Sequence, residues 1–275
     1  MELLGYTFFQ NALLGSLFIC IACGIVGSYI VARRLVFISG GITHASFGGL
    51  GLGFYLGVNP ILSALLFSIA SAFGVQWLSK RQGVREDSAI GAFWSLGMAL
   101  GVICIFLTPG YAPNISAFLF GNILTITLTD ILFAGIVALI LICIFSLYLK
   151  PILYTAFDSE FAKTKGIKVG LIENLMMVAI AVTIVASIRL IGIMLLMSLL
   201  TVPQMTANLF TSKFRNIILY SILIGIVGCF SGLFISYYLN VPSGAAIIFV
   251  QVSLFLVCKI IKEIGERRKE KGNRK

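Results

Sequence analysis

Apolar stretches of about 20 residues follow one another along most of the chain, and short segments between them carry most of the charged residues. A helix rises about 1.5 Å per residue, so such a stretch crosses the roughly 30 Å hydrocarbon layer of a bilayer. Hydrophobic residues fill 59% of the 275 positions and charged residues only 11%, which exceeds what a soluble core needs. The sequence therefore predicts an all-α, polytopic bundle of transmembrane helices.

Nine spans are predicted, or eight if one weak segment does not cross. They are Phe8–Val31, Leu35–Gly57, Ile61–Leu78, Ser88–Leu107, Asp130–Lys150, Leu171–Ser187, Leu190–Phe210, Ile217–Tyr238 and Ala245–Ile261. Residues 115–126 are too few to span, and a re-entrant or interfacial piece is expected there. No long linker divides the chain, so residues 1–275 are interpreted as one transmembrane domain.

Basic residues lie in short clusters between the apolar stretches, and this distribution explains the net charge of +10. The positive-inside rule assigns such clusters to the cytoplasm, which predicts an N-terminus outside and a C-terminus inside. A nucleic-acid partner is not needed to account for this charge. The basic tail, residues 262–275, is expected in the cytoplasm, where it can also meet anionic membrane lipid. The clusters are Arg33–Arg34, Lys80–Arg81 with Arg85, Lys150, Lys163 to Lys168, Lys213 with Arg215, and 259–275.

The only histidine of the chain, His44, lies in the second predicted span within a stretch rich in glycine and hydroxyl residues, Ser39–Gly49. An imidazole at membrane depth is expensive unless it faces a cavity or a partner, so it is a functional-site candidate. Polar side chains in a membrane also serve simply to join helices through hydrogen bonds. The residues alone leave both interpretations open.

The seventh predicted span contains a proline, Pro203, followed by the amide side chain of Gln204. A proline frees a backbone carbonyl, and interrupted helices of this kind line the substrate paths of transporters. A tolerated proline kink would give the same pattern.

The longest internal loop is predicted between Lys150 and Gly170. Its middle part begins with Asp158 and Glu160 and ends with lysines and Gly166, which matches the charge preferences of a helix dipole and a glycine C-cap. One or two helical turns are therefore expected, exposed to the cytoplasm and accessible to another protein. A plain solvated connector is the alternative.

No phosphate-binding loop of the type G-x-x-x-x-G-K-[ST] occurs in the chain. Proton-coupled carriers usually have carboxylates inside the membrane, whereas Glu2, Asp130 and Glu173 all lie near the ends of predicted spans. The chain is therefore not expected to be an enzyme, and a transporter of this kind would draw its energy from another subunit.

Several short motifs, in order along almost the whole chain, resemble those of the metal-type ABC importer permeases, the membrane subunits for zinc, manganese or iron. Ile42 to Ala45 is similar to the I-S-H-A of that family, and its other motifs have counterparts at similar spacing. These counterparts are Glu86–Gly91, Ala99–Gly101, Phe118–Leu124, Asp158–Ala162 with Gly166, Ile191–Leu196 with Pro203, Ser236–Leu239 and Pro242–Gly244.

The resemblance implies a homodimer in the cytoplasmic (inner) membrane of a bacterium, with a cytoplasmic ABC ATPase subunit and an extracytoplasmic metal-binding protein as partners. It implies a transported divalent metal ion and no permanently bound cofactor. His44 would meet the ion, with Thr43 and Ser39 beside it. The remaining residues divide between the path (Gly40, Gly41, Pro203 and Gln204) and an ATPase-coupling segment at about 151–169 (Asp158, Glu160, Phe161, Ala162 and Gly166).

Two positions depart from the family pattern. The family usually has an aspartate four residues before this histidine and a proline four residues after it, whereas this chain has Gly40 and Gly48. Without that aspartate, either the hydroxyl groups of Ser39 and Thr43 with backbone carbonyls form a weak transit site for the ion, or the transported substrate is not a bare divalent ion. The alternatives are a permease for a metal chelate of the siderophore or cobalamin type, an ion-coupled secondary carrier, and a non-transporting membrane scaffold.

Overall fold

The computed structural model describes residues 6–109 and 126–273, and their regular structure is helical throughout. The helices begin and end close to the predicted points for most spans. They are α1 (Thr7–Ala32), α2 (Val36–Leu56), α3 (Pro60–Gln82), α4 (Glu86–Leu107), α5 (Leu128–Phe157), α6 (Ser159–Thr164), α7 (Val169–Leu199), α8 (Val202–Asn208), α9 (Phe214–Leu239) and α10 (Ser243–Asn273).

Among the described residues, eight helical segments are long and apolar enough to cross a membrane, which confirms the polytopic all-α prediction. They are α1, α3, α4, α5, the two segments Val169–Ile188 and Leu190–Asn208, α9 and the Ser243–Arg267 part of α10. α2 is not one of the eight, although its 21 residues extend about 31 Å. With α2 included, each of the nine predicted spans corresponds to a helical segment.

α2 lies in the interior of the bundle, in contact with α3, α4 and α7. Its glycines let backbones approach closely: a Cβ on Gly48 would lie 2.8 Å from the carbonyl oxygen of Gly97, and one on Gly51 would lie 2.5 Å from that of Gly101. On another side of α2, a Cβ on Gly49 would lie 2.6 Å from the Cα of Ala64 in α3. Small residues that permit such approach are a general means of packing helices in lipid.

α5 is longer than predicted at its C-terminal end. The predicted span ended one residue before Pro151 and the longest internal loop was expected to follow, but the helix continues to Phe157. The proline removes a backbone N–H, and the helix departs from helical geometry at Tyr148, where φ is −111° and ψ is 18°. It resumes because Ile152 and Ala156 are buried, so packing of the last two turns outweighs the proline.

Two further boundaries differ in part from the prediction. The break between the sixth and seventh predicted spans is expected across Arg189, and the apolar segments Val169–Ile188 and Leu190–Asn208 do divide there. The backbone departs from helical geometry three residues later, at Gly192, where φ is 74° and ψ is 168°. Such a backbone conformation is readily adopted only by glycine. The tail predicted from residue 262 continues the last helix as far as Asn273 instead of leaving it. The expected re-entrant piece at 115–126 lies outside the described residues, except for Ile126.

Candidate functional site

The imidazole of His44 stacks on the indole of Trp94 in α4, with ring centroids 4.1 Å apart and planes 7° from parallel. His44 is partly exposed, whereas its Nδ1 atom is buried and has no hydrogen-bond partner within the described chain. The ring lies eight residues into α2, about 12 Å from its beginning, and is therefore near the middle of a span. A buried nitrogen without a partner at that depth calls for a functional explanation and marks the imidazole as a candidate site.

Hydroxyl groups of α2 lie close to His44 but are already engaged. The Oγ of Ser39 donates to the carbonyl of Val36 at 2.8 Å, and the Oγ1 of Thr43 donates to the carbonyl of Ser39 at 2.6 Å. Both side chains are buried. Each hydroxyl therefore donates its proton to a backbone carbonyl of α2, while the lone pairs of its oxygen can still accept or bind a cation.

Gly40 and Gly41 precede His44 by four and three residues, about one helical turn, and they face different side chains. A Cβ on Gly40 would lie 2.9 Å from the terminal methyl of Met197 in α7 and 3.9 Å from the ring of Trp94. A Cβ on Gly41 would lie 2.6 Å from a methyl group of Ile90 in α4. His44, Trp94 and Met197 therefore gather around the Gly40 backbone.

Pro203 and Gln204 are buried at the start of α8, after a break at Thr201, so of the two alternatives left open by the sequence the structure has an interrupted helix. The amide nitrogen of Gln204 donates to the carbonyls of Cys23 at 2.9 Å and Leu199 at 3.1 Å. These bonds join α8 to α1 and satisfy a carbonyl at the end of α7. They run to α1 and α7, and Gln204 makes no described hydrogen bond to α2.

The helix expected inside the cytoplasmic loop is present as α6. The Asp158 carboxylate caps it by accepting from the backbone N–H of Phe161 at 2.9 Å, and Gly166, with φ of 74°, follows it in the left-handed conformation. Ala162 is buried, whereas Phe161 is 43% exposed. The hydrogen bond between Lys163 and Glu160, 2.7 Å long, raises the pKa of that lysine.

A carboxylate near the start of α7 holds three helices at the same end of the bundle. Glu173 pairs with Arg33 at 2.6 Å and with Lys80 at 2.8 Å, and its side chain is only 14% exposed. Arg33 also donates to the carbonyl of Thr155 in the last turns of α5, at 3.0 Å. The ends of α1, α3 and α5 thus meet the beginning of α7, which a four-residue connection joins to α6.

Trp94, Met197 and Glu173 were not recognised from the sequence as site residues. A tryptophan in mid-span is a signal that could have been noticed, because tryptophans usually lie at the membrane surfaces. Met197 carried no such signal, since methionine is an ordinary packing residue. In the sequence, Glu173 is distinguished only as a carboxylate near the end of a predicted span.

A cavity of about 500 Å³ lies between α2, α3 and α7, beyond His44 along α2. Its lining is almost entirely apolar and includes Leu50, Ala64 and Val185. Within the described chain, no group of three or more His, Cys, Asp or Glu side chains could hold a metal ion. One chain therefore offers a cation a single imidazole rather than a closed ligand set.

A sequence profile described as the ABC 3 transport family matches residues 5–262. An uncharacterized membrane protein of Synechocystis sp. is 39% identical, over 94% of this chain and 92% of that protein. The manganese transport system membrane protein MntC of Listeria monocytogenes is 31% identical, over 93% of this chain and 91% of that protein. The solved structure described as PsaBC from Streptococcus pneumoniae in complex with Fab is 30% identical, with a TM-score of 0.86 over 94% of this chain and 93% of that one.

Proposed function

The chain belongs to the ABC 3 transport family, and from this premise we propose that it is the permease subunit of an ATP-dependent importer for divalent metal ions. The observation that carries the proposal is His44, an imidazole at mid-span whose Nδ1 has no partner in the described chain. Imidazole is a common ligand of divalent transition metals. The Listeria monocytogenes relative named for manganese transport supports a metal cargo.

His44 is the proposed contact of the ion, and its neighbours shape the path. The hydroxyl oxygens of Thr43 and Ser39 lie on the same helix and add weak oxygen ligands if they turn from their backbone partners. Gly40 and Gly41 are proposed as path residues because their lack of a side chain lets Met197 and Ile90 of neighbouring helices approach this part of α2 closely. Pro203 and Gln204 belong to the proposed path through the break between α7 and α8, which gives α8 freedom to move relative to α7.

A homodimer is proposed because one chain presents a single imidazole. Two copies of His44 facing a shared axis would give the ion two nitrogen ligands, enough for transient binding during transit and too few for permanent retention. The ion is thus cargo, and no resident cofactor is proposed. Residues 1–275 form the single transmembrane domain of each copy, with the N-terminus outside and the basic tail in the cytoplasm.

ATP hydrolysis is assigned to a separate cytoplasmic ABC ATPase, and metal delivery to an extracytoplasmic binding protein. We propose that the ATPase docks on α6, where Asp158, Glu160 and Phe161 are exposed, while Ala162 anchors the helix to the bundle. Gly166 ends α6 in a tight turn that leads into α7. A displacement of α6 would then reach α1 and α3 through the ion pairs of Glu173.

Uptake by proteoliposomes that contain the permease with its ATPase tests the transport proposal. With the binding protein and ATP, the complex should accumulate at least one of zinc, manganese and iron, and His44→Ala should reduce this accumulation by about tenfold. Ser68→Ala is the matched control, because Ser68 is another buried polar residue without a described partner and lies in α3, which carries none of the proposed path residues.

Two results would contradict the proposal. Metal uptake that needs neither ATP nor the ATPase indicates an ion-coupled carrier. Unchanged accumulation of every metal in His44→Ala, with ATP dependence retained, indicates that a chelate passes through the permease instead of a bare ion.

Co-purification of the ATPase tests the coupling segment. Replacing both Asp158 and Glu160 with alanine should reduce the ATPase recovered with the permease, while the amount inserted in the membrane stays the same. Asp158→Asn keeps an oxygen that can cap α6, whereas Asp158→Ala loses about 1 kcal/mol of helix stability. If less ATPase is recovered with Asp158→Ala but not with Asp158→Asn, docking needs the folded helix. If less is recovered with both, docking needs the charge of Asp158. Full recovery of the ATPase with every variant, including the double alanine variant, contradicts the assignment.

A further inference from the structure

We infer that Met197 lines the ion path beside His44, and that the path selects a borderline-soft ion of the zinc or ferrous type over manganese. This inference rests on the proposed function. Two side chains of neighbouring helices lie close to Gly40. A Cβ on Gly40 would lie 2.9 Å from the methyl carbon of Met197 and 3.6 Å from its sulfur. The same Cβ would lie 3.9 Å from the ring of Trp94, which stacks on His44. Met197 is also partly exposed rather than fully packed.

Gly40 and His44 are one helical turn apart, so they lie on the same face of α2. A Cβ on Gly40 would meet Met197 at 2.9 Å and the Trp94 ring at 3.9 Å, and the same ring stacks on His44. The thioether of Met197 therefore lies on the face of α2 that carries the imidazole. Trp94 covers one flat side of that imidazole, which restricts its rotation and leaves the ring edge, where the nitrogen lone pair points, for a ligand.

Carboxylates are absent from this depth in the described chain. Along α4, the nearest is Asp87, seven residues or about 10 Å before Trp94. Glu173 lies at one end of the bundle and is occupied by two basic side chains. Asp130 lies in the first turn of α5, and the other described acids lie in α6, in the tail helix, or at the start of α4. Residues 110–125 contain no Asp or Glu in the sequence.

The donor set decides which ion is favoured. Manganese suits carboxylate, carbonyl and water oxygens, whereas imidazole suits zinc and iron, and thioether sulfur is a soft ligand. For any given nitrogen, oxygen or sulfur site, manganese binds more weakly than ferrous iron or zinc. A path with imidazole and thioether but no carboxylate therefore widens this difference, although several relatives are named for manganese transport or import.

Competition between zinc and manganese in the proteoliposome assay measures this selectivity. The permease is reconstituted with its ATPase and binding protein, and the ratio of zinc to manganese taken up from an equimolar mixture is determined. Wild-type permease should take up about ten times more zinc than manganese. Met197→Leu should lower this ratio by roughly threefold or more, because the substitution removes one weak soft ligand at nearly constant side-chain volume. Met176→Leu is the matched control, since Met176 lies in the same helix with its side chain fully buried in the core.

A carboxylate introduced at Gly40 gives the reciprocal test. The first atom of the new side chain would meet the methyl end of Met197, which is flexible and can move aside. Gly40→Asp should raise manganese uptake relative to zinc by about tenfold, and Gly40→Asn, which adds a side chain of the same size without the charge, should raise it much less.

The inference fails if wild-type permease takes up manganese at least as well as zinc, or if Met197→Leu and Met176→Leu give the same ratio as wild type. Those results leave metal transport itself intact. The proposed function fails in a different way, through the absence of ATP-dependent uptake of any divalent ion by wild type while the ATPase still co-purifies. Because the binding protein also selects metals, a second measurement uses the detergent-solubilised complex of permease and ATPase without that protein. The stimulation of its ATP hydrolysis should then be larger with zinc than with manganese.

Discussion

α2 and α5 are both long enough to cross a bilayer, yet α2 is mostly buried inside the bundle whereas α5 leaves most of its residues exposed on the bundle surface. α2 buries 14 of its 21 residues, including glycines, serines and a threonine. α5 buries 10 of 30, and the most apolar part of it has a mean hydropathy of 2.8 with 33% of that part buried. Of these two helices, the less apolar and more deeply buried one thus holds the candidate site.

The difference has a physical cause that is particular to membranes. Lipid tails are as apolar as a leucine side chain, so apolarity does not drive a helix to the centre of a bundle. Close backbone approach does, and α2 achieves it through glycines that meet Gly97 and Gly101 of α4. Once surrounded by protein, such a helix can keep a histidine that would be expensive against lipid.

The largest effect is expected when a methyl group is added at the α2–α4 contact. In Gly97→Ala the new Cβ would lie 2.8 Å from the carbonyl oxygen of Ala45 and closer still to its Cα, so one backbone must shift. We expect a loss of about 1 to 3 kcal/mol, larger than the roughly 1 kcal/mol gained in helix propensity, visible as a lower unfolding midpoint in detergent.

Gly135→Ala in α5 is the matched control, because its Cβ would meet only the Phe18 ring at an ordinary 3.6 Å. This variant should be as stable as wild type or slightly more stable. Equal midpoints for the two alanine variants would mean that α2 and α4 are not packed backbone to backbone.

An intermediate effect is expected for a buried hydroxyl in each helix. Thr43 in α2 donates to the Ser39 carbonyl, whereas the hydroxyl of Thr155 in α5 is buried without a partner in the described chain. Thr43→Val should therefore cost about 0.5 to 1 kcal/mol, and Thr155→Val should be neutral or stabilising. Unfolding midpoints measure both. If metal uptake by Thr43→Val falls more than about twofold at unchanged protein level, Thr43 contributes to the path beyond this bond.

Much of the fold could be predicted because its signals are local. Apolar length indicates the spans, and Asp158 and Gly166 bracket α6 with a cap at each end. The errors arise where tertiary packing overrides a local signal. Pro151 predicts a helix end, yet buried side chains after it continue α5. Gly192 has no feature in the sequence that distinguishes it from the many glycines that remain helical.

The sequence alone predicts one residue of the candidate site, His44, but not the side chains that surround it. His44 is conspicuous because it is the only histidine in a polar stretch of an apolar span. Trp94 and Met197 come from α4 and α7, and only the packing of those helices against α2 brings them to the same face. Glu173 acquires its meaning in the same way, from Arg33 and Lys80 on two other helices.

The smallest effect is expected on the outer face of α5, where Leu139 is 64% exposed. In water such a residue would be a liability, but in a bilayer Leu139→Ala exchanges one contact with lipid for another, so we expect a change in stability below about 0.5 kcal/mol. Leu50→Ala in α2, where the side chain is 5% exposed, should cost at least about 1 kcal/mol because a cavity remains between helices. Unfolding midpoints measured in the same lipid–detergent mixture compare the pair. A loss for Leu139→Ala as large as for Leu50→Ala would show that this face of α5 is covered by protein, and a second copy of the chain would then be the first candidate to examine.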